Sequence, residues 1–219
     1  MLSFTEENYL KAIYHLSNNG SNAVSTNAIS DILSTKPASV SDMLKKLSQK
    51  KVISYIKYQG VNMTEEGRLL ALRIIRKHRL WEVFLVKHLG FNWDQVHDVA
   101  EELEHINSSL LIKRLDEFLG FPKFDPHGDP IPSEDGEMSP LFTVSLDTLD
   151  AGVVAVVTSL NETSGEFLRH LDKLGINLGV KVKIMDVSTF DKSIELHLSS
   201  DKNVMISNEV AKNINVSAE

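Results

Sequence analysis

The sequence predicts a mainly α-helical chain with a small β domain at its C-terminal end: a winged helix-turn-helix, a helical middle domain and an SH3-like barrel. Three observations predict it. Apolar residues recur with helical period from about Thr5 to Leu119, broken by one β-type stretch after Lys51. The segment Phe121 to Pro140 is dense in Pro, Gly and Asp and cannot be regular structure, so it reads as a linker. From Leu141 onward short β-branched runs dominate. The expected domains are therefore residues 1–63, 64–140 and 141–219.

Thr5 followed by Glu6 and Glu7 reads as a helix start, with Leu10, Ile13 and Tyr14 as its apolar stripe and Ser17-Asn18-Asn19-Gly20 as its stop. Ser25 or Thr26 caps a short second helix carrying Ala28, Ile29, Ile32 and Leu33. Pro37 then opens a third, in the first-turn position where its missing N–H costs nothing, and Val40, Met43, Leu44 and Leu47 repeat at i, i+3, i+4, i+7. The opposite face shows Ala38, Ser39 and Asp42, small and hydrogen-bonding, then Lys45 and Lys46. Val52 to Tyr58 and Val61 to Met63 around Gln59-Gly60 read as a hairpin. Helix, helix, turn, helix and hairpin make a winged helix-turn-helix, whose third helix enters the major groove of DNA.

Thr64-Glu65-Glu66 opens a long helix toward Leu89-Gly90; Trp93 to about Asn107 and Leu110 to Leu119 read as two more. These three are too apolar for a monomer's surface, which points to a homodimer interface. The β domain carries runs at Val153–Thr158, Lys181–Val187, Ser193–Leu198 and Asn203–Ile206, with one helical segment at Gly165–Leu174.

The net charge of -7 is divided along the chain. Residues 1–80 hold 12 Lys and Arg against 6 Asp and Glu, and the remainder 11 against 24. A basic segment suits phosphate contact, with Lys36, Pro37, Ala38, Ser39, Asp42, Lys45, Lys46 and Lys57 as the candidate DNA-facing residues. The acidic remainder suits cation binding. There is no cysteine, so a metal must be held by His, Asp, Glu, Asn or backbone oxygen. No apolar run approaches the roughly 20 residues of a membrane span, and the N-terminus lacks signal-peptide order, so a cytoplasmic location is expected.

The segment His97 to His105, with His78 and Glu82, concentrates the ligand chemistry. Residues three and four apart share a helix face, so His97/Glu101, Glu101/Glu104/His105 and His78/Glu82 become local clusters of imidazole and carboxylate, a set suited to a divalent ion of intermediate hardness. His127, between Asp125 and Asp129, is explained by a proline-bounded turn and is not assigned to metal.

Four blocks in order resemble the diphtheria toxin repressor family of iron- and manganese-dependent regulators, including its manganese-transport-regulator branch. They are Thr5 to Tyr14, Arg76 to Glu82, Val96 to His105, and His127-Gly128-Asp129-Pro130-Ile131-Pro132. The resemblance implies a C-terminal domain of FeoA-like type and Mn(II) or Fe(II) as cofactor, with up to two sites per subunit. It places one site on Asn8, Glu101, Glu104 and His105 and the other on His78, Glu82 and His97, with Glu166 as a further candidate from the barrel. The chain departs from the family at two of these places. Asn8 stands where an aspartate or methionine is common, and Lys11 stands where the manganese branch has a glutamate, which speaks against a close two-manganese cluster using that residue.

The expected function is a homodimeric repressor, not an enzyme, that binds palindromic operator DNA when loaded with metal and controls metal-uptake genes. Two other classes compete with it. A metallohydrolase also uses His and Glu clusters, but a His-Glu-x-x-His zinc signature is absent from the sequence. An interaction protein acting through an acidic barrel is the second.

Overall fold

The computed structural model describes residues 2–56 and 60–218 and divides the chain into two compact units. The first comprises Met1–Trp81, Glu101–Arg114 and Pro132–Met138, the second Glu82–Ala100, Leu115–Ile131 and Ser139–Glu219.

The first unit opens with α1 (Phe4–Leu16), which starts one residue before the expected Thr5 because Ser3 is the cap. The Ser3 side chain accepts from the Glu6 N–H, and the Glu6 carboxylate accepts from the Ser3 N–H, a reciprocal capping box. Then come α2 (Thr26–Ile32), capped by Ser25, and α3 (Pro37–Gln49) with Pro37 in its first turn. Strands β1 (Ile53–Ile56) and β2 (Gly60–Met63) form the wing, with Ile53 opposite Met63 and Tyr55 opposite Val61. Leu10, Ile13, Ile29, Val40, Leu44, Leu47, Val61 and Leu72 pack into one core. The long α4 (Glu65–Leu89) is brought against the wing by Gly67, where a Cβ would lie 1.8 Å from the Val52 carbonyl oxygen.

α5 (Val96–Leu103) is shorter than expected at both ends. Asn92 N–H donates to the Gln95 side chain, which starts the helix late, and Glu104 and His105 fall in the turn that follows it. α6 (Ser109–Phe118) ends the helical part.

In the second unit, β3 (Val144–Ser145), β4 (Val154–Leu160), β5 (Lys181–Val187), β6 (Ile194–Leu198), β7 (Lys202–Ile206) and β8 (Ile214–Ala218) form an antiparallel sheet in the order β3-β8-β4-β5-β6-β7. α7 (Gly165–Leu174), capped by Ser164, buries Leu168 and Leu171 in the same core as Val157, Ile184 and Leu196. A short α8 (Asn208–Lys212) precedes β8. Two polar ties bind the α4–α5 connection to α7: Trp93 Nε1 donates to Asp172 at 3.1 Å, and Arg169 pairs with Asp94 at 3.1 Å.

The expected linker is not a free tether. Residues Phe121 to Ile131 bury Asp125, His127 and Ile131, and Gly128 fits only as glycine, since a Cβ there would lie 2.0 Å from the Thr158 carbonyl oxygen. Proline-rich composition excluded helix and strand correctly, but burial of this turn depends on contacts distant in sequence.

Candidate metal centre and DNA-facing helix

Two constellations of His and carboxylate side chains form, and their geometries differ. In the first unit, the turn after α5 is closed by direct hydrogen bonds. His78 Nδ1 lies 2.6 Å from Glu104 Oε2, and His105 Nδ1 lies 2.6 Å from Glu7 Oε2. An ionised carboxylate only accepts, so the imidazoles donate. Lys11 Nζ donates to both oxygens of Glu104, at 2.8 and 2.9 Å, and to Glu101 Oε1 at 3.1 Å. Phe4 packs edge-on against the His105 ring, 4.4 Å between centroids.

Glu104 is fully buried. Burial by itself raises its carboxyl, but the His78 hydrogen bond and the Lys11 charge outweigh that and hold it below its ordinary 4.5. From α1, Glu7 and Lys11, one helical turn apart, make the polar contacts to this turn and Phe4 the aromatic one, whereas Asn8 is exposed. The expected first-helix ligand is thus displaced by its neighbours. Only Glu101 of the expected trio sits on a helix, so the helical-spacing argument does not hold for Glu104 and His105.

In the second unit, Glu82 on α4 is buried beside two imidazoles. Its Oε1 lies 3.7 Å from His97 Nδ1 and its Oε2 lies 3.8 Å from His127 Nδ1, while Asp125 Oδ1 lies 4.0 Å from the same His127 nitrogen. Glu82, Asp125 and His127 are 2%, 7% and 4% exposed, and their ligand atoms all lie within 4.8 Å of one another. Two groups each about 2.0–2.2 Å from one cation, the zinc–ligand range for N and O, can stand up to about 4.4 Å apart. Separations of 3.7 to 4.0 Å lie within that span.

The outer contacts orient these ligands. His127 Nε2–H donates to the Trp93 carbonyl at 2.9 Å, which turns Nδ1 toward the carboxylates. Asp125 Oδ1 accepts from the backbone N–H of His127 and of Asp129, at 2.8 and 3.0 Å, so the turn holds its own carboxylate in place. Burial lowers the His127 pKa, but Glu82, Asp125 and the Trp93 carbonyl together raise it to about 9. A divalent ion bound here would compete with the His127 proton. Carboxylate and imidazole donors fit Mn(II), Fe(II) or Zn(II).

His78 stands one turn before Glu82 on α4. Glu166, in the first turn of α7, is exposed and is not in the Glu82, Asp125 and His127 group. Sequence spacing alone does not single out His127 and Asp125 as ligands. The signal in the sequence is the proline-bounded Asp125-Pro126-His127-Gly128-Asp129-Pro130 turn, which spaces two ligand types two residues apart.

On α3, Val40, Leu44 and Leu47 are buried, while Ala38, Ser39, Asp42, Lys45 and Lys46 are exposed, with Lys36 and Pro37 exposed at its start. Lys45 pairs with Asp42 at 2.9 Å. Lys57 lies outside the described residues.

Comparisons with known proteins bear on both surfaces. Residues 1–61 match the family model "Iron dependent repressor, N-terminal DNA binding domain", residues 64–133 match "Iron dependent repressor, metal binding and dimerisation domain", and residues 144–218 match the FeoA domain. The chain is 26% identical over 224 residues to the iron-dependent repressor IdeR of Mycobacterium tuberculosis, covering 97% of this chain and 96% of that one. It is 30% identical over 199 residues to the diphtheria toxin repressor of Corynebacterium efficiens, covering 83% of each. Among solved structures, a manganese-dependent transcriptional repressor in complex with manganese superposes with a TM-score of 0.88 at 32% identity, covering 98% of this chain and 100% of that one.

Proposed function

Because the chain belongs to the iron-dependent repressor family, we propose that it is a homodimeric, metal-activated transcriptional repressor that reads operator DNA with α3, takes Mn(II) or Fe(II) as its signal and controls metal-uptake genes. The observation that carries the metal half of this reading is the buried Glu82, Asp125 and His127 group at cation-sharing distances. His97, with its Nδ1 3.7 Å from Glu82 Oε1, adds an imidazole on the exposed side of Glu82.

The charge argument favours a conditional site. Two carboxylates buried together repel, and without a cation one neutralising proton must come from His127. A divalent ion replaces that proton, neutralises both carboxylates and fixes α4, the start of α5 and the 125–131 turn as one body. Only an ion with different affinity for the two conformations shifts their populations, so metal choice is read as geometry rather than tightness.

The exposed face of α3 supports the DNA half, since its small polar residues precede its lysines. In a two-fold dimer two such helices reach successive major grooves about 34–36 Å apart. Leu110 and Leu111 on α6 are exposed apolar residues within the match to the dimerisation domain, which supports a self-complementary interface there. The protein acts by binding, not turnover, in the cytoplasm; no described helix is long and apolar enough to cross a membrane.

Footprinting on DNA upstream of the chain's own gene, with Mn(II) or with chelator, tests the reading. Protection that requires metal is expected. Identical protection in chelator, or none in either, contradicts it.

A further inference from the structure

At the place where the family resemblance puts a metal ion, this chain presents its own cation. The candidate ligands Glu101 and Glu104 are already bonded to Lys11, and His105 is already bonded to Glu7. We propose that the Lys11 ammonium replaces the divalent ion of that first site, so that α1 is tied to the turn after α5 without metal and each subunit takes its activating ion only at the Glu82 group. The second clause rests on the function proposed above; the first does not.

Occupancy of the donor atoms carries the argument. Glu104 Oε1 accepts from Lys11, and Oε2 accepts from both Lys11 and His78. His105 donates through Nδ1 to Glu7 and keeps its Nε2 3.9 Å from Glu104 Oε1, so the site is closed by Lys11 on the carboxylates rather than by the imidazole. The separations of 2.6 to 3.1 Å are closed hydrogen bonds. An ion entering between Glu101 and Glu104 would meet a like charge a few ångströms away, in surroundings where Glu104 is fully buried and the Lys11 side chain only 14% exposed.

The charge balance agrees with the distances. Glu101 and Glu104 bring two negative charges to the pocket; Lys11 returns one, and His78 donates a hydrogen bond to the other side of Glu104. Glu7 joins α1 to the same turn through His105, with Lys77 4.0 Å from its carboxylate. Lys11 and Glu7 lie one turn apart on α1, so both ties act on the same helix face. A metal bridge between α1 and this turn is conditional on metal supply, whereas an ammonium bridge is permanent.

The test uses the purified full chain and Mn(II) alone, in two arms. The first is the melting temperature in excess chelator of wild type, Lys11→Met and Lys11→Arg. The proposal expects Lys11→Met to melt lower by several degrees and Lys11→Arg to recover most of the loss; a Lys11→Met melt equal to wild type overturns the permanent tie. The second arm is Mn(II) stoichiometry by equilibrium dialysis. Wild type is expected to bind one ion per subunit, Glu101→Gln still one, Glu82→Gln none at the same free metal, and Lys11→Glu two. Wild type binding two ions, or one that Glu101→Gln abolishes and Glu82→Gln does not, overturns the replaced site. A wild type that binds one ion yet never binds operator DNA sinks the repressor reading and leaves the lysine tie standing.

Discussion

Lys11 on α1 and Glu104, 93 residues later, are joined by two hydrogen bonds of 2.8 and 2.9 Å, with the Glu104 carboxylate wholly removed from solvent. A buried carboxylate held this way sets a pH dependence. Its folded pKa is below 4.5, so the stability it contributes is present above that value and is lost as pH falls through the lowered one. Unfolding free energy measured between pH 7 and pH 3 should fall more steeply for wild type than for Glu104→Gln. At pH 7, Lys11→Met should cost about 3 kcal/mol, the low end for uncovering a buried charge, because His78 still donates to Glu104.

His127 has the opposite sign. Its pKa is raised from 6.5 to about 9, so in chelator its contribution is fully present below 6.5 and is lost as pH rises through about 9. Urea melts of the metal-free protein at pH 6, 7.5 and 9 should show declining stability, and His127→Gln should flatten that decline. Mn(II) competes with the same proton, so its affinity should rise over this interval. An affinity independent of pH would remove His127 from the ligand set.

Gly128 holds the ligand turn. With φ at +87° and the Thr158 carbonyl oxygen 2.0 Å from where a Cβ would stand, Gly128→Ala should destabilise by more than about 2 kcal/mol. It should also weaken Mn(II) binding, because Asp125 and His127 immediately precede it in the same turn. Unfolding melts and metal titration on the same preparation check both effects.

Much of this architecture is legible in sequence because local periodicity and tertiary packing agree. The segments Lys181–Val187 and Gly165–Leu174 form strand and helix over the residues that their apolar spacing indicates. The segments that escape notice have weak local signals: β8, whose Asn215 and Ser217 interrupt the β-type run, the two-residue β3 and the short α8. α5 looks longer in sequence than it is, because Glu104 and His105 continue the ligand spacing while their partners, His78, Lys11 and Glu7, lie far away in the chain. The same limit hides His127, whose meeting with Glu82 is a long-range contact.

On α3, sequence preference and electrostatics should separate. Ser39→Ala should change base preference by about 1–3 kcal/mol at one position with little change in salt slope, whereas Asp42→Asn should change both. Lys46→Gln should instead lower the slope of log affinity against log salt by about one, as expected for one lost phosphate contact. Lys45 differs because it is paired with Asp42, so Asp42→Asn also frees its charge. Selection of preferred sites for each variant, with salt titrations, distinguishes the two classes.

The central claim is that a divalent ion at the Glu82 group switches operator binding on. The most direct measurement is operator affinity against free Mn(II) at fixed salt, in wild type and in Glu82→Gln. The account predicts that wild type tightens at least tenfold, about 1.4 kcal/mol, between chelator and saturating Mn(II), while Glu82→Gln stays at the metal-free affinity throughout. Equal wild-type affinity in chelator and in Mn(II), or a full metal response retained in Glu82→Gln, would contradict it.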